Sequence, residues 1–330
     1  MNKILILGSN SFSGASMTNY LLKKKFLVYG TYNQKKPNIY LNFKKNIKKN
    51  NFKMLKINLL KRSDIFKLIK IIKKEKPNYI LDFASLCMVN ESWSLPQRYF
   101  DINVLSKIHI LNEIKKLNFI KKYIYISTPE IFGSQNYKII EKNKLFNPST
   151  PYATSKLSCE LYINNLIKNF KFNGIIARFS NFYGPGQPYY RLIPKIILSI
   201  LKKKKFPIHG DGKSKRNYIF SEDFCSGIYK IIKKGNVGKT YHFSGNKLYS
   251  VIDIIKKVAK LMGKNFNIIT KKSSDRKGKD LIYNISSAAT KKELDWNCNT
   301  TIDNGIKKVI EFSLINFKKI KNLPIEYIQK

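Results

Sequence analysis

Two rhythms of apolar residues alternate through the first half of the chain. Short continuous runs at Lys3–Leu7, Phe26–Gly30, Lys53–Ile57, Tyr79–Phe83, Lys122–Ser127 and Gly174–Arg178 predict buried strands. Between them the spacing turns helical. It predicts helices over Ala15–Lys24, from a Ser63 cap to about Lys74, over Tyr99–Lys116 and over Pro151–Phe170. The Lys76-Pro77 step stops the second of these, because proline disfavours a helical residue before it. Strands alternating with helices predict an α/β fold: a Rossmann-type, doubly wound parallel sheet whose ligand lies beyond the carboxyl ends of the strands.

Beyond Arg178 the rhythm breaks. Tyr183 to Pro188 is rich in turn formers, helices are expected over Pro194–Lys203 and Val251–Met262, and His209–Lys213 is another turn. The expected organisation is a sheet domain over 1–180, to which about 215–245 returns. A smaller C-terminal substrate lobe takes 181–214 and 246–330.

Gly8-Ser9-Asn10-Ser11-Phe12-Ser13-Gly14 joins the first strand to the first helix. Gly8 permits a tight turn, Gly14 lets helix and strand approach, and the amides at the helix start face a pyrophosphate. Gly8, Asn10, Ser11, Phe12 and Gly14 are therefore candidates for binding a dinucleotide; Ser11 replaces the usual middle glycine. After the second strand, Gly30-Thr31-Tyr32-Asn33-Gln34-Lys35-Lys36 carries no acid to grip a ribose. The cofactor is read as NAD(P)+, with NAD and NADP both open.

Tyr152 and Lys156, at i and i+4, share one face of the Pro151–Phe170 helix. A lysine charge beside a phenol favours the phenolate, so the tyrosine can serve as an acid–base near neutral pH. Ser127-Thr128-Pro129-Glu130 ends the preceding strand with two hydroxyls and a carboxylate.

A glycine turn, then Ser-Thr-Pro-Glu, then Tyr-x-x-x-Lys resembles the extended short-chain dehydrogenase/reductases, the NAD-dependent epimerase/dehydratase family. The resemblance covers nearly the whole chain. It includes Asn58-Leu59, Phe83-Ala84-Ser85, Asn103-Val104, Arg178 to Gly186 with Asn181, Arg191-Leu-Ile-Pro194, Gly210-Asp-Gly212 with Arg216, and Asp275-Arg276-Lys-Gly278. It implies Thr128, Glu130, Tyr152 and Lys156 as catalytic residues. It places Tyr32, Asn58, Leu59, Phe83, Ala84, Ser85, Asn103 and Ser127 beside the cofactor, with Tyr152 and Lys156. It sets Thr128, Asn181, Arg191, Arg216 and Arg276 against a nucleotide-diphosphate sugar held by the smaller lobe. Departures from the family pattern are Asn58 for an Asp, Leu86 and Met88 for a polar residue and His, and Ser106-Lys107 for Gly-Thr.

In such enzymes the Tyr takes a hydroxyl proton as hydride leaves carbon 4 of the sugar, and the 4-ketone acidifies carbon 5. Glu130 holds the position of the carbon-5 base of 4,6-dehydratases, which then lose water from carbon 6. Pro129 stands where many of them carry an Asp that protonates the leaving hydroxyl. The resemblance implies a nucleotide-sugar 4,6-dehydratase forming an NDP-4-keto-6-deoxy sugar, within cell-surface polysaccharide biosynthesis. A 4-epimerase or a UDP-glucuronate decarboxylase-like enzyme are the alternatives.

Composition changes little in this picture. Lys and Arg total 63 against 20 Asp and Glu, a formal charge of +43. The lysines are spread along the chain with no basic tail, so they read as solvated surface and no nucleic-acid partner is expected. A non-catalytic RNA-binding relative would often lack the Tyr or the Lys, and both are present. Of the basic residues six are arginines, and four fall in the family segments, where a guanidinium suits bidentate phosphate recognition. Cys87, Cys159, Cys225 and Cys298 lie far apart and read as inert reduced thiols, with no metal site. No apolar run approaches the roughly 20 residues of a membrane span, so a cytoplasmic protein without membrane contact is expected. Relatives imply a homodimer through Tyr99–Lys116 and Pro151–Phe170, with Ile108, Leu111, Ile114, Leu161 and Ile167 as candidate face residues.

Overall fold

Ile4, Leu5, Ile6 and Leu7 are each at most 1% exposed, which explains why their strand reads as an unbroken apolar run. The structure is a computed structural model that describes residues 2–41, 43, 50–274 and 280–328. Its strands are β1 (Lys3–Leu7), β2 (Leu27–Tyr32), β3 (Phe52–Lys56), β4 (Tyr79–Asp82), β5 (Lys122–Ser127), β6 (Gly174–Phe179), β7 (Asn181–Tyr183), β8 (Phe206–His209), β9 (Lys215–Phe220), β10 (Thr240–Phe243), β11 (Leu248–Ser250), β12 (Thr270–Ser273) and β13 (Ile282–Tyr283). The helices that matter below are α1 (Phe12–Lys23), α2 (Arg62–Glu75), α3 (Val89–Ser94), α4 (Pro96–Phe100), α5 (Ser106–Ile114), α6 (Pro151–Phe170), α7 (Leu192–Leu201) and α8 (Ser221–Lys234).

A seven-stranded parallel sheet runs in the order β10-β6-β5-β4-β1-β2-β3. The order reverses at β1, whose neighbours are β2 and β4, and this switch opens a crevice at the carboxyl ends of the strands. One face packs on α1 and α8 through Met17, Leu21, Phe224 and Ile228. The other packs on α2, α5 and α6 through Leu68, Ile110, Leu111 and Ile163. The doubly wound sheet expected from the alternating pattern is the observed one.

The segment expected to return to the sheet, about 215–245, divides. Its first part, β9, is the centre of a small four-stranded sheet with β7, β11 and β13, and α8 with β10 rejoins the main sheet. A separate apolar core, with Ile196, Ile197, Ile254, Ile306 and Val309, holds this smaller lobe. Because β7 follows β6 almost directly, the chain passes from one sheet to the other at the edge of the crevice.

Two local expectations differ. Lys61, not Ser63, is the N-cap of α2, without a side-chain cap bond. Asp64 in the first turn instead accepts the Asn58 amide at 2.8 Å and fixes where the helix begins. The helix expected over Tyr99–Lys116 is broken into α4, a π-turn over Asp101–Leu105 and α5. A π-turn lets one extra residue into the helix, and here the turn carries the buried Asn103. Of the apolar residues expected on a shared face, Leu111 and Ile114 lie in the chain's own core, while Leu161 is 46% exposed. Among the described residues no helix is long and apolar enough to cross a membrane.

Candidate active site

The crevice floor begins at the glycine turn. Gly8 has φ +77°, and a side chain there would press on the Ala84 backbone at 3.0 Å. A Cβ on Gly14 would lie 2.2 Å from the Gly8 carbonyl, so only glycine allows α1 to start this close to β1. Ser11 caps α1, accepting the Gly14 amide at 3.0 Å, which leaves the helix's first amides facing outward. The turn is tied to β2: the Gly8 amide donates to Thr31 Oγ1 at 2.9 Å and Asn10 Nδ2 to the Gln34 carbonyl at 2.5 Å. Phe12 packs at a tilt against Phe182, with centroids 4.5 Å apart. Tyr32 lies at the end of β2 and Asn58 after β3, where its Oδ1 accepts the Leu60 amide at 3.0 Å next to Leu59.

Phe83, Ala84 and Ser85 follow β4 directly opposite Gly8. Asn103, expected to contact the cofactor, is fully buried. Its amide accepts from Leu86 N at 2.9 Å and donates to the Leu86 carbonyl at 3.1 Å and Ser155 Oγ at 3.0 Å. It braces the crevice wall against α6. Arg178 does the same deeper down, its guanidinium paired with Glu160 (Nη2–Oε2 2.6 Å) in the buried space between β6 and α6.

Thr150 caps α6 and Pro151 takes the first helical position, so Tyr152 and Lys156 project from the start of α6 toward the ends of β4 and β5. Lys156 Nζ donates to Ser85 Oγ at 3.0 Å and to the Ile126 carbonyl at 2.7 Å, and lies over the Tyr125 ring. Burial pulls its ammonium down to about 8. The Tyr152 phenol is pushed well up by burial and then by Glu130, against a Thr128 hydrogen bond and the Arg191 charge. Arg191 is thus a cation that acts on the phenol from the smaller lobe.

Thr128 caps a short 3-10 turn, Pro129–Phe132, that presents Glu130 to Tyr152. Burial raises the Glu130 carboxyl to about 7, with Asp280 adding to it and Arg216 and Arg191 opposing. Glu130 Oε2 and Ser127 Oγ are buried with no hydrogen-bond partner among the described residues. Two acceptors and a donor at the end of β5 thus have unmet capacity, and with the glycine cradle they fit a dinucleotide and a polar second ligand.

The smaller lobe closes the far side. Arg191 precedes α7 and donates to Cys87 Sγ at 3.0 Å, so this exposed thiol, read from sequence as inert, stands at the site. Arg216 on β9 lies over the Tyr283 ring at 4.0 Å and donates to the Asp280 carbonyl at 2.6 Å. Asp280 in turn accepts from Ser149 at 2.6 Å and from Tyr283. Sequence reasoning missed Asp280 and Tyr283, although both adjoin the Asp275–Gly278 motif it singled out. Asn181 is exposed on β7, and Arg276 lies outside the described residues.

Known proteins are similar to this chain in sequence and fold. The family model described as GDP-mannose 4,6 dehydratase matches residues 5–309. The dTDP-D-glucose 4,6-dehydratase of Dictyostelium discoideum is 31% identical over 280 residues, covering 78% of this chain and 62% of that protein; the chain thus spans less than two thirds of that relative. The crystal structure of dTDP-glucose 4,6-dehydratase from Bacillus anthracis in complex with NAD superposes with a TM-score of 0.85 at 26% identity, over 96% of this chain and 98% of that one. UDP-glucose 4-epimerase of Thermotoga maritima superposes equally, TM-score 0.85 at 20% identity, over 96% and 99%. The fold alone therefore does not separate dehydratase from epimerase.

Proposed function

The chain belongs to the GDP-mannose 4,6-dehydratase family, and from that premise we propose that it is an NAD(P)-dependent nucleotide-sugar 4,6-dehydratase producing an NDP-4-keto-6-deoxy sugar. The observation that carries this reading is Glu130: a carboxylate beside the candidate acid–base Tyr152, with one oxygen unpartnered and its proton affinity raised to about 7. A 4-epimerase has no step that requires such a base.

A nicotinamide held at the ends of β1 and β4 supplies a hydride acceptor for carbon 4 of the sugar and a donor for carbon 6. The groups of this chain move the protons. Tyr152 removes the proton of the 4-hydroxyl, with Thr128 hydrogen-bonded to its oxygen. Lys156, held by Ser85, keeps a positive charge under the same face of α6. Glu130 then takes the carbon-5 proton and, with Pro129 unable to donate, passes it to the carbon-6 hydroxyl, which departs as water. Recharged from solvent, Glu130 protonates carbon 5 as hydride reaches carbon 6, and Tyr152 releases its proton to solvent. The sugar has lost one water and the cofactor is unchanged.

Residues 1–180 with 221–243 hold the cofactor in this reading, through Gly8, Asn10, Ser11, Gly14, Tyr32, Asn58 and the 83–85 segment. The remainder holds the nucleotide sugar through Arg191 and Arg216, joined by Asn181 and Arg276. A cytoplasmic homodimer serving cell-surface polysaccharide synthesis belongs to this reading; for the dimer alone, exposed Leu161 and Leu105, the latter 50% exposed, offer an apolar face. Incubation of the holoenzyme with a panel of nucleotide sugars tests the assignment: one sugar should lose the mass of one water. The epimerase alternative, favoured by Pro129, would instead leave every mass unchanged.

A further inference from the structure

Beneath the crevice, Lys107 is fully buried on α5, just past the π-turn. Its Nζ pairs with Asp82 Oδ1 at 2.7 Å, and neither side chain is exposed. Asp82, the last residue of β4, accepts further bonds from Tyr123 Oη at 2.5 Å and from the Ala84 amide at 3.1 Å. The Ala84 bond matters because the next residue is Ser85, whose hydroxyl meets Lys156 Nζ. A continuous path of bonds thus runs from Lys107 through Asp82 and the 83–85 backbone to the lysine of the site.

We infer that Lys107 is a positioning residue for Lys156: by neutralising Asp82 it leaves the Lys156 ammonium to Ser85 and the Ile126 carbonyl, not to the buried carboxylate. The inference rests on the reading of Tyr152 and Lys156 as the acid–base pair. The groups facing Lys156 are Cys159 and Glu160 from its own helix, Asp82 from β4, Lys107 from α5 and the Tyr125 ring from β5. Burial is the largest influence on its proton affinity, while Asp82 favours the charged form and Lys107 opposes it.

The two halves of the pair should therefore act in opposite directions. In Lys107→Met, Tyr123 and the Ala84 amide still donate to the carboxylate. The alkaline limb of the pH profile, read in the first oxidation of the full holoenzyme, should move up by about half a pH unit or more. Turnover should drop by about tenfold or more as the ammonium is drawn off its seat, with KM for the sugar unchanged. Asp82→Asn keeps shape but removes the anion, and its limb should move down. If Lys107→Met does not fold, the downward shift in Asp82→Asn carries the test alone. Limbs that stay in place while only the melting temperature falls would overturn the inference and leave a structural ion pair. Tyr152→Phe measured in parallel separates the two failures. Near-normal turnover there refutes the acid–base reading itself, whereas its loss with unmoved limbs refutes only the role of Lys107.

Discussion

Replacing Glu130 with Gln keeps the shape of the side chain and removes both the base and its buried charge, so it should affect activity and stability with opposite sign. The folded carboxyl holds its proton up to about 7 against an ordinary 4.5. A group whose folded pKa is raised contributes stability that is present below 4.5 and lost as pH rises through 7. At about 1.4 kcal/mol per pH unit, the parent chain should lose on the order of 3 kcal/mol over that window from this group alone. Glu130→Gln lacks that loss, so above pH 7 it should melt several degrees higher than the parent, and the difference should vanish toward pH 4. Dehydration should fall by roughly two to four decades while the first oxidation survives, leaving reduced nicotinamide detectable by its absorbance. Thermal melts across pH and a single-turnover absorbance trace read the two effects on the same samples. Full dehydratase activity in the variant, with a melting profile parallel to the parent, would refute the placement of a raised, catalytic carboxyl at this position.

Tyr152→Phe should lower turnover by about a hundredfold or more and spare cofactor affinity, measured by calorimetric titration; near-normal turnover would remove Tyr152 from the mechanism. Gly14→Ala forces a Cβ to within 2.2 Å of the Gly8 carbonyl, so cofactor affinity should fall at least about tenfold, and unchanged affinity would argue against the glycine turn as its seat. Leu161→Glu should convert the dimer to a 38.5 kDa species in sedimentation; a parent chain already at that mass would contradict the dimer.

The sheet was legible because its inner strands are buried on both faces and so read as unbroken apolar runs. The glycine turn was legible because its two glycines meet real steric limits. The interruption around Asp101–Leu105 was not, since helical spacing continues through it while the bonding pattern shifts. Tyr152 and Lys156 were found by spacing within one helix, yet what acts on each was not. Arg191, Glu130 and Thr128 reach the phenol from other segments, and Ser85 reaches the ammonium across 71 residues. The Asp82–Lys107 pair left only half a trace: Lys107 stood out as an unusual residue, but its partner lies 25 positions away on another element. The contact of Cys87 with Arg191 was not legible, because distance from other cysteines says nothing about closeness to an arginine.

Solvent isotope labelling tests the central claim most directly, because a 4,6-dehydratase must break and remake the carbon-5 bond to hydrogen and a 4-epimerase never touches it. The holoenzyme is incubated in deuterium oxide with the nucleotide sugar it turns over, and the product is read by mass and by the carbon-5 proton resonance. The expected product is lighter by one water and carries one deuterium at carbon 5, delivered through Glu130. A product of unchanged composition, inverted at carbon 4 and with its carbon-5 proton intact, would contradict that claim and make the protein an epimerase.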